Sequence, residues 1–222
     1  MSKRKSIDQA FEIAASFHQN GDFSKAEKIY QRILNFQPKH HFTLGNLGLL
    51  YLQLEKIDQA KECLIRATNL APNYQEGQIN LGNLYFSLGE YRSAMEAYST
   101  ANRIDPSDAE IWFNLGNAHL RMNQDVQALR CYQKALQLAP NRFDLYNGLG
   151  DSLYIMDDYM NAVEAYQKSL TFNPNQAICY YNIGCAYEKM GDFPKAVEYF
   201  NQSVAMNPDD FEVRSHLGTT LL

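Results

Sequence analysis

The sequence predicts an all-α fold built from repeated helical hairpins, and three observations predict it. Prolines recur at a fixed interval: Pro38, Pro72, Pro106, Pro140, Pro174 and Pro208 each lie 34 residues after the last, and only Pro194 falls outside the series. A fixed period of this length is the signature of a repeat architecture. Three further series keep the same interval: Gly48, Gly82, Gly116, Gly150, Gly184 and Gly218; Ala26, Ala60, Ala94, Ala128, Ala162 and Ala196; and the large apolar Tyr30, Leu64, Tyr98, Tyr132, Tyr166 and Phe200. Finally, each period contains two helical faces. Trp112, Leu115, Gly116 and His119 share one, and Ala128, Leu129, Tyr132 and Ala135 mark out the next.

Each period therefore reads as helix, turn, helix, stop. The turn carries Gly21-Asp22-Phe23, Gly89-Glu90-Tyr91 or Gly191-Asp192-Phe193. Glycine supplies a backbone angle other residues avoid, and the acid is placed to cap the second helix. The repeating proline ends that helix, because the residue before a proline is pushed out of the helical region. Pro194 follows Asp192 closely and belongs to a first helical turn, where a missing N–H does no harm. The recurring glycine and alanine let two helices approach closely, and stacked neighbours share a continuous core. Met122, Met156 and Met190 also recur every 34 residues near the turn and are expected as core filling.

Composition narrows the function classes. The chain has 222 residues, 45% hydrophobic and 20% charged, as a folded protein requires. Its net charge is −5 and its pI about 5.5, so the basic field of a nucleic-acid binder is missing. Lys3, Arg4 and Lys5 form the one basic cluster, in an expected tail over residues 1–6. No apolar run is long enough to span a bilayer, and Asp8, Glu12 and His18 interrupt any secretory h-region. The expected compartment is the cytoplasm, without membrane insertion. Cys63, Cys131, Cys179 and Cys185 form no C-x-x-C pair, and His18, His40, His41, His119 and His216 form no metal or catalytic motif. No cofactor, metal site or enzymatic activity is expected.

The pattern W-x2-L-G-x2-Y…G-x-Y…A…F…A…P resembles the tetratricopeptide repeat, and AEIWFNLGNAHLRMNQDVQALRCYQKALQLAPN is close to its consensus. The array covers residues 7–222, with units 7–40, 41–74, 75–108, 109–142, 143–176 and 177–210 and a half unit 211–222. Departures are modest: Ala14 and Ala10 in the first unit, Glu55 at a turn glycine and Asp125 at a turn aromatic. The resemblance implies an α-α superhelix with a concave groove lined by the first helices, acting as a scaffold for a peptide or partner protein.

On that geometry, one inner-face position gives Asn46, Asn80, Asn114 and Asn182, with Gly148 breaking the ladder. Three residues further on stand Asn83, Asn117 and Asp151, on the same helical face. A carboxamide both donates and accepts, so such a row suits a peptide backbone of any sequence. The row is similar to the asparagine ladder of O-linked N-acetylglucosamine transferases. Bonding to neighbouring helices or water is the competing role. Phe42, Phe86, Phe113, Tyr154 and Tyr181 are candidate anchors on the same face, or packing residues against the next unit. Glu76, Glu110, Asp144 and Glu212 lie near helix N-termini, where acids complement the dipole. The family's carboxylate clamp for acidic chaperone tails needs Lys or Arg, which the matching positions lack.

The last segment, FEVRSHLGTTLL, stops after one helix and leaves Phe211, Leu217 and Leu221 as an expected apolar edge for homodimerisation. The same edge is what a fragment of a longer chain would show. The principal expectation is a peptide-binding scaffold. The alternatives are the substrate-recognition arm of a larger glycosyltransferase-like enzyme and a self-assembling module.

Overall fold

The computed structural model describes the backbone of residues 2–220 and the side chains of residues 6–220. It is all-α, as expected, with thirteen helices among the described residues. The chain divides into two compact units, residues 1–106 and 107–222. The first contains α1 (Ser2–Gln19), α2 (Phe23–Phe36), α3 (His41–Gln53), α4 (Ile57–Leu70), α5 (Gln75–Ser87) and α6 (Tyr91–Ile104), paired as three hairpins. Helix α1 starts at Ser2, so residues 2–6, expected as a tail, instead open the first helix.

The second unit contains α7 (Ala109–Arg121), α8 (Asp125–Leu138), α9 (Phe143–Ile155), α10 (Tyr159–Phe172), α11 (Ala177–Lys189), α12 (Phe193–Met206) and α13 (Phe211–Thr220). These form three hairpins, and α13 packs on α12 as the next first helix.

Every second helix ends two residues before its proline, with one extended residue between, such as Ala71 at φ −138°, ψ 82°. Pro194 sits in the first turn of α12, as expected. Each hairpin turn holds one residue in the left-handed region. Glycine does so at Gly21, Gly89 and Gly191, with φ of 78°, 75° and 78°. Glu55, Asn123 and Asp157 take the same position at 58°, 56° and 61° without a glycine's freedom. The N–H groups at and after this residue bond back to the first helix, as Gly89 to Phe86 and Glu90 to Tyr85, which satisfies its last carbonyls. The expected acid cap forms at Asp192, which accepts from the Lys195 N–H, but not at Asp22 or Glu90. Asp22 pairs with Lys25 instead.

Packing follows two rules. Within a hairpin, the repeating glycine receives the large residue of the second helix. A Cβ added at Gly116 would meet the Tyr132 ring at 2.7 Å, and one at Gly82, Gly150 or Gly184 would meet Tyr98, Tyr166 or Phe200 at 2.4–2.6 Å. Between hairpins, the same large residue shares a core with the following first helix. Tyr132 clusters with Leu145, Tyr166 with Cys179 and Ile183, and Phe200 with Val213. The six alanines of the series are fully buried at the crossings. Burying one such aromatic stabilises the fold by roughly 1.5–3 kcal/mol, and each hairpin shares that burial with its neighbour.

Two expectations about apolar residues need correction. Met156 caps α9 and is 42% exposed, so it fills no core. Leu217 packs against Phe200 and Val213 and is only partly exposed, so it is not a free edge. Phe211 is open, at 83% exposure, and Leu221 lies outside the described residues.

Candidate functional site

The two asparagine series have different local chemistry. At the second position the side chain is tied to the partner helix. Tyr98 Oη donates to Asn83 Oδ1, Tyr132 Oη to Asn117 Oδ1 and Tyr166 Oη to Asp151 Oδ1, each at 2.7 Å. Each pair is 15 residues apart and joins the two helices of one hairpin. The rule also predicts its exceptions. Where the second helix lacks a hydroxyl, at Leu64 and Phe200, the first helix carries Leu49 and Cys185 instead. In the first hairpin Ala15 stands 15 residues before Tyr30, whose hydroxyl is buried with no partner among the described residues. This signal was present in the sequence as a matched pair of series, but reading the asparagines by helical face alone misses it.

The tie uses only one end of each carboxamide. Nδ2 of Asn83 and of Asn117 has no partner among the described residues, and neither group is fully buried. The first position is freer still. Asn80 and Asn114 are half-buried and carry no hydrogen bond among the described residues. Asn46 Nδ2 donates to the Phe42 carbonyl of its own helix, leaving its Oδ1 open. Asn182 Nδ2 donates to Asp151 Oδ1 of the preceding hairpin at 3.4 Å. Gly148 breaks the ladder for a packing reason: a Cβ there would meet the Tyr132 ring at 2.6 Å.

Asp151 is an unusual member of the series. Burial pushes its carboxyl above the ordinary value, opposed by the hydrogen bond from Tyr166. The aromatic candidates differ in how open they are. Phe113 lies beneath the Arg142 guanidinium, 5.1 Å from its centroid, and Arg142 also pairs with Glu110 at 2.6 Å and with Asp144. Tyr181 donates to Glu212 and packs edge-on to His216 of the next helix. Tyr154 packs edge-on to Tyr159 at 5.3 Å, and burial pushes its hydroxyl up to about 12. Phe42 is the most open, at 46% exposure, and Phe86 packs edge-on to Tyr91.

The remaining titratable groups carry no obvious chemistry. Burial raises Cys63, Cys131 and Cys185 to about 11 and Cys179 to about 12, which keeps the thiols protonated. His119 accepts or donates at Gln124 across 2.7 Å within its own turn. Among the described residues no helix is long and apolar enough to cross a membrane.

Comparison with known proteins places these features in a family. Tetratricopeptide-repeat profiles match residues 43–74, 109–142 and 141–209, and a TPR-repeat profile matches 82–123. A search of curated protein sequences finds no significant relative. Among solved structures, the chain is similar to the MamA protein, with 26% identity and a TM-score of 0.71 over 76% of this chain and 92% of that one. It resembles PilF of Pseudomonas aeruginosa at 18% identity and a TM-score of 0.84, covering 99% and 100%. YrrB, described as a TPR protein with an unusual peptide-binding site, matches at 19% identity and a TM-score of 0.74, covering 86% and 97%.

Proposed function

The chain belongs to the tetratricopeptide-repeat family, and on that premise we propose that it is a protein-interaction scaffold whose first-helix faces hold an extended peptide. The observation that carries the reading is the half-used carboxamide. Tyr98 and Tyr132 fix Oδ1 of Asn83 and Asn117, which leaves each Nδ2 as an oriented donor without a partner among the described residues. Asn80 and Asn114, one helical turn away, keep both ends of the carboxamide available. A peptide carbonyl meets such donors whatever side chains it carries, and a donor already held in place loses little freedom on binding. The peptide-binding description of YrrB supports the same reading. Each bond contributes about 0.5–1.5 kcal/mol, so affinity on the order of micromolar is expected.

The test uses peptides selected from a random display library on the full chain, measured by fluorescence polarisation. The combined Asn80→Ala, Asn83→Asp, Asn114→Ala and Asn117→Asp variant, in which each aspartate can still accept from its tyrosine as Asp151 does, binds them about tenfold more weakly or worse. Unchanged affinity in a variant with wild-type circular dichroism overturns the proposal.

A further inference from the structure

A cleft of about 480 Å³ opens in the first unit where α3 meets the start of α5. His41, Phe42 and Tyr74 line it, together with Gln75, Glu76 and residues 71–73. The Tyr74 ring stands at 68° to His41 and 78° to Phe42, with centroids 5.4 and 5.2 Å away. Tyr74 is buried, whereas Glu76 is exposed. Among the described residues Glu76 forms no ion pair, unlike Glu110 and Asp144 in the second unit. Gln75 Nε2 is buried without a hydrogen-bond partner. Burial, and then the nearby Glu76, push the Tyr74 hydroxyl up to about 12, so it stays neutral beside the carboxylate. Aromatic walls next to an uncompensated carboxylate select a cation.

The second unit repeats this junction two periods later and fills it from its own chain. Arg142 occupies the position of Tyr74, and its guanidinium lies over Phe113. It pairs with Glu110 and Asp144, which stand two periods after Phe42 and Glu76. The junction thus seats a guanidinium between a ring and carboxylates. In the first unit Gly45 replaces Phe113, and Tyr74 lies against it: an added Cβ would meet its hydroxyl oxygen at 2.7 Å. Tyr74 fills the inner space, and Glu76 is left without a counter-ion.

We infer that this cleft receives the cationic side chain of an arginine or lysine on a bound peptide, with Glu76 as counter-ion and Phe42, His41 and Tyr74 as its walls. The inference rests on the peptide-binding reading and adds the chemistry of one ligand residue. The probes are fluorescein-labelled hexa-arginine and hexaglutamate, titrated against the full chain by fluorescence polarisation. Hexa-arginine binds about tenfold or more tightly than hexaglutamate, and Glu76→Gln or Phe42→Ala weakens it about fivefold each. Glu198→Gln, an exposed acid in α12, makes the same change in net charge and leaves binding within about twofold of wild type. Equal binding of the two probes, or equal losses for Glu76→Gln and Glu198→Gln, overturns the inference. If the asparagine variant weakens library-selected peptides while Glu76→Gln leaves hexa-arginine unaffected, the cation site fails and the peptide face stands. The reverse pattern keeps the cation site and removes the asparagine face.

Discussion

The hydroxyl of Tyr132 donates to Oδ1 of Asn117 across 2.7 Å, and that bond clasps the two helices of one hairpin together. Asn117→Leu leaves the hydroxyl without its partner and costs about 1–3 kcal/mol, whereas Tyr132→Phe costs about 1 kcal/mol. The double variant matches the apolar pairing at Leu49 with Leu64 and regains part of that loss. Urea unfolding of the four proteins gives a coupling energy of about 0.5 kcal/mol or more. A coupling of zero would mean the bond adds nothing to the hairpin.

The first hairpin supplies the contrast. Tyr30 is fully buried, and its hydroxyl has no partner. Tyr30→Phe therefore removes an unsatisfied group and raises stability by about 1 kcal/mol, opposite in sign to Tyr132→Phe. The midpoint of urea unfolding reads the difference directly.

The repeating glycines differ in what surrounds them. Gly116→Ala drives a methyl into the Tyr132 ring and costs about 1–3 kcal/mol despite alanine's better helix propensity. Gly218 in α13 has nothing within 4 Å of an added Cβ. Gly218→Ala therefore gains up to about 1 kcal/mol from propensity alone. Thermal melts that moved in the same direction would contradict the packing account.

The turns offer a gain where the sequence departs from its own pattern. Glu55 and Asp157 hold φ of 58° and 61° with a side chain in the way. Glu55→Gly relieves a conformation costing roughly 1–2 kcal/mol and stabilises the chain by about 1 kcal/mol once glycine's own entropy is counted. A melting temperature that failed to rise would show the strain to be absent.

Much of this architecture was legible in the sequence, because backbone constraints repeat with the chain. Pro72 ends α4 whatever surrounds it, and Gly89 marks its turn by its own geometry. The left-handed residues Glu55, Asn123 and Asp157 were less legible, since no glycine marks them and the bonds that set them there, such as Glu55 N–H to the Leu52 carbonyl, belong to the helix end rather than to the residue type. The site was read only in part. Helical spacing put Asn80 and Asn83 on one face, but only the paired helix reveals that Asn83 is tied to Tyr98 while Asn80 is not. The reach of Arg142 over Phe113, and the inward packing of Leu217, depend on side-chain paths that no periodicity encodes.

Asp151 makes the fold sensitive to pH. Its folded-state value is raised by burial, so the native chain holds that proton to higher pH than the unfolded chain. Stability contributed at this position is therefore lost as pH rises from the ordinary carboxylate value through the raised one. Asp151→Asn keeps an acceptor for Tyr166 and escapes the loss. It melts above wild type at pH 7, and the gap closes toward about pH 4. A gap that persisted undiminished at low pH would assign the effect to something other than ionisation.

Because Tyr132 is roofed by Leu145 from the following hairpin, the joints of this chain behave as interchangeable cassettes. Excising residues 143–176 would bring Cys179 into the place of Leu145 and Asn182 into that of Gly148, so a first helix would again cover Tyr132 once its ring shifted to admit the Asn182 Cβ. Excising half that length would set a second helix against a second helix, leaving the ring uncovered. Heritable change in length is thereby channelled into whole periods, each of which arrives with its own roof for the ring before it.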